Sequence, residues 1–299
     1  MRKDRLKFAM LMPIEQRMIE VMKRAFHCLE DDVRIDHRFV GGMSNYTYLV
    51  YLKDHPYVVR ILGEGGEVLV DPASEKKHLN IVKTLDITSN VVYFDVKTGV
   101  KISEYIEGTP LSKEISDEDY FEVADSLRRL HEAKLPGEDY HLKTRLRRYE
   151  KLLKTIPSET YYALKMQWLK LYDEYYHQFP KTLCHGDAQR SNLVKSHDKI
   201  YLLDWEFAGL NDPYYDIASF GNIDFKDAEK LLGFYLKREP NKEELKKLRF
   251  YRMFQVLQWH IVATYKHEID LSSKLNLNFE MIAQKYLNLA QELFEKIKG

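Results

Sequence analysis

The densest polar chemistry of the chain lies in "LCHGDAQRSNLV", residues 183–194, where Asp187 and Asn192 stand five positions apart between apolar flanks. Asp204 follows twelve positions after Asn192, at the end of the apolar run "IYLLD". Phosphoryl transfer needs few parts: backbone donors over the phosphates, a cation against them, hard oxygen ligands for magnesium, and a carboxylate that orients and deprotonates the attacking hydroxyl. Asp187 and Asn192 have the D-x-x-x-x-N spacing that sets such an acid against a hydroxyl and an amide oxygen against Mg²⁺. Asp204, at a strand end, is placed to be the second oxygen ligand. One acid alone would be equally at home in a polar turn between two strands. Acid, amide and second acid in that order point to catalysis.

These loops need elements to hold them. Residues 14–29, "IEQRMIEVMKRAFHCL", repeat apolar residues at helical spacing. "VRIDHRFV", "YTYLVYL" and "YVVRIL" are β-branched or aromatic runs separated by "GGMSN" and "KDHP", which predicts successive antiparallel strands. "DPASEKKHLNIVKTL" opens with Asp-Pro and continues as a helix, and "NVVYFDV" and "VKISEYI" form two more strands about the turn "KTG". "EGTPLS", residues 107–112, is the candidate linker. Beyond it the pattern predicts helices over 117–133, 141–155, 158–177, 225–237, 241–269 and 278–297, with short strands in 181–204 carrying the polar motif. The expectation is an α+β chain of two lobes: a small N-terminal lobe with an antiparallel sheet, residues 1–106, and a large, mainly helical C-terminal lobe, residues 107–299.

The chain has 299 residues, enough for two lobes and a sizeable core. Lys plus Arg balances Asp plus Glu at 46 each, so no global field favours nucleic acid or an anionic membrane. No apolar run approaches the roughly 18 residues of a membrane helix, and none is expected to insert. Cys28 and Cys184 make neither a disulfide framework nor a metal-ligand pair of usable spacing. A reducing compartment, by default the cytoplasm, is the expected location.

"HGDAQRSN" followed by "LLDWEFAGLNDPYYDIASF" resembles the aminoglycoside phosphotransferase and choline/ethanolamine kinase superfamily, and within it the bacterial choline kinases. The resemblance runs from about residue 33 to 290. It implies a protein-kinase-like fold and transfer of the γ-phosphate of ATP to a small-molecule hydroxyl, with ATP as co-substrate and Mg²⁺ as cofactor. It makes "FVGGMSNYTYLV" the loop that covers the phosphates. There Gly41 and Gly42 allow close backbone approach, and Ser44 and Asn45 offer donors. Arg60 lies in an apolar strand and needs a partner, which Glu75 on the next helix could supply. By itself that is a structural ion pair; the resemblance makes Arg60 the cation on the phosphates. Glu104, Tyr105 and Ile106 would meet adenine through backbone groups. "LGEGGEV", residues 62–68, lacks strand–glycine–helix geometry and reads as a turn. His185 could be a base, but the matching position in the family ties loop backbone together, and Asp216 matches an acid that supports the catalytic loop.

The same resemblance assigns the acceptor side. Asp187 would meet the hydroxyl, Gln189 lies beside it, Phe207 matches an aromatic of a cation cage and Glu206 its supporting acid. Trp259 in "FQVLQWHIVATYKHE" matches one tryptophan of a W-x-x-W pair, whose second member is replaced by Val256 or Val262 according to register. Ile223 stands where family members carry an acid near choline. The expected acceptor is an amino alcohol, choline before ethanolamine. Alternatives are a kinase of thiamine or an aminoglycoside, or a non-catalytic binding protein of the same fold. A protein kinase is disfavoured, because Trp205-Glu206 replaces the Phe-Gly that would follow its magnesium aspartate and no A-P-E segment follows.

Overall fold

A computed structural model describes residues 14–39, 45–112, 115–197 and 199–298. The chain divides into two compact units, one comprising residues 1–76 and 89–107 and the other residues 77–88 and 108–299.

The first unit is a five-stranded antiparallel sheet with one helix packed on it. Helix α1 (Ile14–Phe26) buries Met18, Val21 and Met22, an i, i+3, i+4 stripe, and is followed by His27 in the left-handed region. Strands β1 (Val33–Arg38), β2 (Asn45–Leu52) and β3 (His55–Leu62) form a meander, helix α2 (Pro72–Val82) follows, and β4 (Val91–Asp95) and β5 (Val100–Glu104) close the sheet. Its order is β1-β2-β3-β5-β4. The α1 stripe meets Val50, Val59, Ile61, Val100 and Ile102, the buried face of the three central strands. Gly99 closes the β4–β5 turn at φ +70, where an added Cβ would fall 2.2 Å from Leu62 Cδ1. Residues 66–68 form a short 3-10 turn, in keeping with the reading of "LGEGGEV".

The second unit is mainly helical. It contains β6 (Thr109–Pro110), α3 (Asp117–Glu132), α4 (Leu142–Glu150), α5 (Glu159–Leu171), β7 (Thr182–Cys184), β8 (Leu193–Ser196), β9 (Lys199–Leu202) and β10 (Gly209–Asn211). Helices α6 (Tyr214–Phe220), α7 (Phe225–Leu236), α8 (Lys242–Glu268), α9 (Leu271–Leu275) and α10 (Phe279–Lys298) complete it. Strands β6, β8 and β9 make a three-stranded ladder and β10 pairs with β7, so the motif loops hang between two small sheets. Helix α8 packs against α4, α5, α6 and α10. Trp168 of α5 stacks on Phe250 of α8 with ring centroids 4.9 Å apart and gives its Nε1–H to the Phe250 carbonyl at 3.1 Å.

Four local expectations differ from the structure. The helix over 141–155 stops at Glu150, because the Glu268 carboxylate draws the backbone N–H groups of Lys154 and Thr155 to 2.6 and 3.0 Å. The helix over 158–177 widens after Leu171 into a π turn, Tyr172–Tyr176. The linker at 107–112 contains a ladder strand, β6, paired with β8. Helix α6 was not expected as a helix: six of its seven residues are buried, so it has no polar face to give a periodic signal.

Candidate active site

In the first unit, Gly42 and Ser44 lie outside the described residues, and Asn45 opens β2 opposite Leu62. Arg60, 3% exposed on β3, makes a two-pronged ion pair with Glu75 of α2: Nη1 to Oε1 at 2.9 Å and Nη2 to Oε2 at 2.5 Å. The sequence reading missed Lys101, which faces Arg60 across the β3–β5 register and places Nζ 2.6 Å from Glu75 Oε1. Two cations share one carboxylate. Glu104 ends β5 with its N–H on the Asn90 carbonyl at 2.9 Å, and Tyr105 and Ile106 follow half-buried.

In the second unit, Asp187 lies three residues beyond the end of β7 and is 9% exposed. Asn192 Nδ2 donates to Asp187 Oδ2 at 2.9 Å and to its backbone carbonyl at 3.0 Å, and Gln189 Nε2 donates to the same Oδ2 at 3.1 Å. Asn222 in turn donates to Gln189 Oε1 at 2.9 Å. With the amide nitrogen of Asn192 engaged by Asp187, its oxygen is the atom left to ligate a hard cation. Asp204 lies two residues beyond β9, not at its last position, and sits at φ +67. Burial and the negative field of Asp204 push the Asp187 carboxyl up to about 7, against the pull of its two amide donors.

The loop is held from behind by Asp216 of α6, which is fully buried. Its two oxygens accept the backbone N–H of His185 at 2.7 Å and of Gly186 at 2.8 Å, and His131 Nε2 approaches at 3.1 Å. Burial alone would raise Asp216, but His131 and these amides hold it below the usual carboxylate range. His185 is structural: Nε2–H donates to the Leu203 carbonyl at 3.0 Å while Nδ1 accepts from the Asp187 N–H at 3.3 Å. Gly186 adopts φ +80, and an added Cβ would stand 1.9 Å from the Phe207 carbonyl oxygen. Cys184 is a buried thiol pushed well up by burial, which suits its packing role.

The acceptor-side candidates also come together. The rings of Phe207 and Trp259 meet edge to face at 5.7 Å and 82°. Glu206 is half-buried between Asp204 and Phe207 in sequence, and its charge acts on Lys266 of α8. Val256 and Val262 are buried aliphatic residues and supply no second ring, and Ile223 is 59% exposed. Sequence reasoning missed Arg252 and Lys266, which lie seven residues before and after Trp259 on α8 and are 4% and 1% exposed. The signal was available as a cation–aromatic–cation repeat of seven, hidden in a helix that is apolar on most sides.

Residues 37–260 match the model of the Phosphotransferase enzyme family. The chain belongs to that family. Protein LicA of Haemophilus influenzae is 24% identical over 292 residues, covering 92% of this chain and 84% of that protein. Choline kinase LicA from Streptococcus pneumoniae has the same fold, with a TM-score of 0.74 at 24% identity over 95% of this chain and 99% of that one. A choline/ethanolamine kinase family protein from Mesorhizobium loti gives 0.72 at 21% identity, over 88% of each chain. The expected two-lobed, kinase-like α+β fold is borne out, and by its family the protein is a phosphotransferase. No helix among the described residues is long and apolar enough to cross a membrane.

Two outcomes follow from this geometry. Asp216→Ala leaves His131 and two backbone N–H groups without their acceptor, a loss of roughly 3–5 kcal/mol. The melting temperature should fall by more than about 5 °C; an unchanged melt would remove Asp216 as the anchor. For Asp187, the folded carboxyl titrates at about 7 whereas the unfolded chain titrates near ~3.9. The folded protein therefore holds a proton that the unfolded chain has lost, and this contribution to stability is full below about pH 4 and lost as the pH rises through about 7. In magnesium-free buffer, Asp187→Asn should melt above wild type near pH ~8 and close to it near pH ~4. Equal melting at the higher pH would exclude a raised Asp187.

Proposed function

We propose that this phosphotransferase moves the γ-phosphate of ATP to the hydroxyl of an amino alcohol, choline before ethanolamine, with Asp187 as the base. The observation that carries the reading is the Asp187 carboxylate, fixed by Asn192 and Gln189 and raised to about 7 by burial and Asp204. A base of that strength can take a hydroxyl proton near neutral pH and release it afterwards. Asp187 holds the hydroxyl in line, its oxygen attacks the γ-phosphorus, the bond to the ADP oxygen breaks, and the proton passes to Asp187.

Asn192 and Asp204 would hold Mg²⁺, a role supported by the Asn192 amide nitrogen being spent on Asp187 and by the mutual repulsion of Asp187 and Asp204. When bound, the ion neutralises charge on the phosphate oxygens. In the first unit, Arg60, backed by Glu75 and Lys101, would contact the phosphates together with Gly42, Ser44 and Asn45, and the backbone of Glu104 and Ile106 would meet adenine. The planar guanidinium suits phosphate oxygens, and its ion pair fixes its direction. Glu206, Phe207 and Trp259 would receive the cationic head, each ring contributing about 0.5–2 kcal/mol. The likeness to choline kinase LicA and to LicA proteins supports that choice of head group.

Purified protein should consume ATP with choline in preference to ethanolamine, thiamine or an aminoglycoside. Phosphorylation of another alcohol, with none of choline or ethanolamine at millimolar concentration, would overturn the acceptor assignment and leave the kinase reading in place. Asp187→Asn should lower single-turnover transfer by roughly 10²–10⁴-fold with little change in ATP affinity. Near-normal transfer would take Asp187 out of this role. Trp259→Ala should raise the acceptor KM more than about tenfold and leave the KM for ATP alone.

A further inference from the structure

Two arginines of the second unit carry charge that no acid answers. Arg252 of α8 is 4% exposed, and its one hydrogen bond among the described residues runs from Nη1 to Gln255 Oε1 at 3.1 Å. Its Nε is buried with no partner among them. Arg145 of α4 sets its guanidinium 3.7 Å over the Tyr140 ring. It gives Nε–H to the Tyr140 carbonyl at 3.2 Å and Nη1 to the Tyr149 hydroxyl at 3.5 Å. Neither guanidinium pairs with a carboxylate among the described residues. Burial pushes the Tyr140 and Tyr215 phenols above their ordinary range, so neither is an anion near neutral pH. An arginine stays protonated there. Buried polar groups are ordinarily satisfied, so an orphaned guanidinium nitrogen needs a reason.

The two cations belong to one polar patch. Gln255 Nε2 donates to the Tyr215 carbonyl at 2.8 Å, which ties Arg252 to the residue whose hydroxyl meets the Tyr140 hydroxyl at 2.8 Å. Tyr140 in turn approaches Gln258 Oε1 at 3.5 Å, and the Gln258 amide nitrogen has no acceptor among the described residues. The patch borders the acceptor side. A Cβ added to Gly186 would stand 3.2 Å from Tyr140 Cε2, so that ring lies against the start of the loop that carries Asp187. Gln258 precedes Trp259, whose ring meets Phe207. Surplus donors, two of them on guanidinium forks, match one ligand chemistry: an oxyanion held by charge-assisted hydrogen bonds. We infer that Arg145 and Arg252 form an oxyanion subsite of the acceptor site, which takes a carboxylate carried by the amino alcohol or the phosphate group of its phosphorylated product. This rests on the amino-alcohol reading above.

Calorimetry on the full chain saturated with Mg·ADP compares choline with two relatives that add an oxyanion. Carnitine is choline bearing a carboxymethyl group on its hydroxyl carbon, and phosphocholine is choline after transfer. Wild type should bind one of them at least about tenfold more tightly than choline. Arg252→Met should remove that gain while the choline Kd holds. A gain with carnitine assigns a carboxylate of the acceptor; a gain with phosphocholine alone assigns the product phosphate. Arg145→Met should act in the same direction and serves if the first variant does not fold. A smaller gain in wild type, or a gain that survives in the folded variants, overturns the inference and leaves the amino-alcohol reading standing. If wild type refuses choline, ethanolamine, carnitine and phosphocholine alike, the amino-alcohol reading falls and inorganic phosphate decides the subsite. It stands if wild type binds phosphate at least about tenfold more tightly than Arg252→Met, and it falls otherwise.

Discussion

The second unit is organised around one buried carboxylate. Asp216 accepts the N–H groups of His185 and Gly186, two successive amides at the point where β7 gives way to the catalytic loop. Successive amides of an extended strand point in opposite directions; both can reach one carboxylate only if the chain turns sharply between them. Gly186 makes that turn at φ +80. A side chain there would collide with the Phe207 backbone, so the absence of a Cβ also lets the Asp187 loop and the Asp204–Phe207 loop lie against each other. His185 completes the tie by joining its ring to Leu203 on one side and to the Asp187 amide on the other. Asp187 thus inherits its place from a chain of contacts that begins in the core.

Much of this was legible in the residues, because loop chemistry depends on residue type. D-x-x-x-x-N and the later Asp204 carried the site, and in the structure Asn192 does reach Asp187 through its amide. The sheet of the first unit was legible because its strands alternate between turns that Gly and Pro announce. What was hidden is physical in origin. Helix α6 is buried nearly all round and has no period to detect. The end of α4 is set by Glu268, a residue more than a hundred positions away, and no local pattern can encode that. Lys101 looked like one more alternating strand residue until the register put it opposite Arg60. Arg252 and Lys266 stand seven residues either side of Trp259 in a long helix, and their burial is what distinguishes them from its other cations.

The two units use acids in two ways, and the count of donors separates them. Glu75 receives Arg60 and Lys101, and Asp216 receives two amides and a histidine. Such carboxylates are rich in donors and serve as fixed points. Asp187 is the opposite case. Burial and a like charge nearby outweigh its two amide donors, both on the same oxygen, and its proton affinity rises. A carboxylate left short of donors is poorly suited to holding structure and well suited to exchanging a proton or meeting a cation that arrives later. Where donors run short, chemistry begins, and in this chain that boundary runs between Gly186 and Asp187.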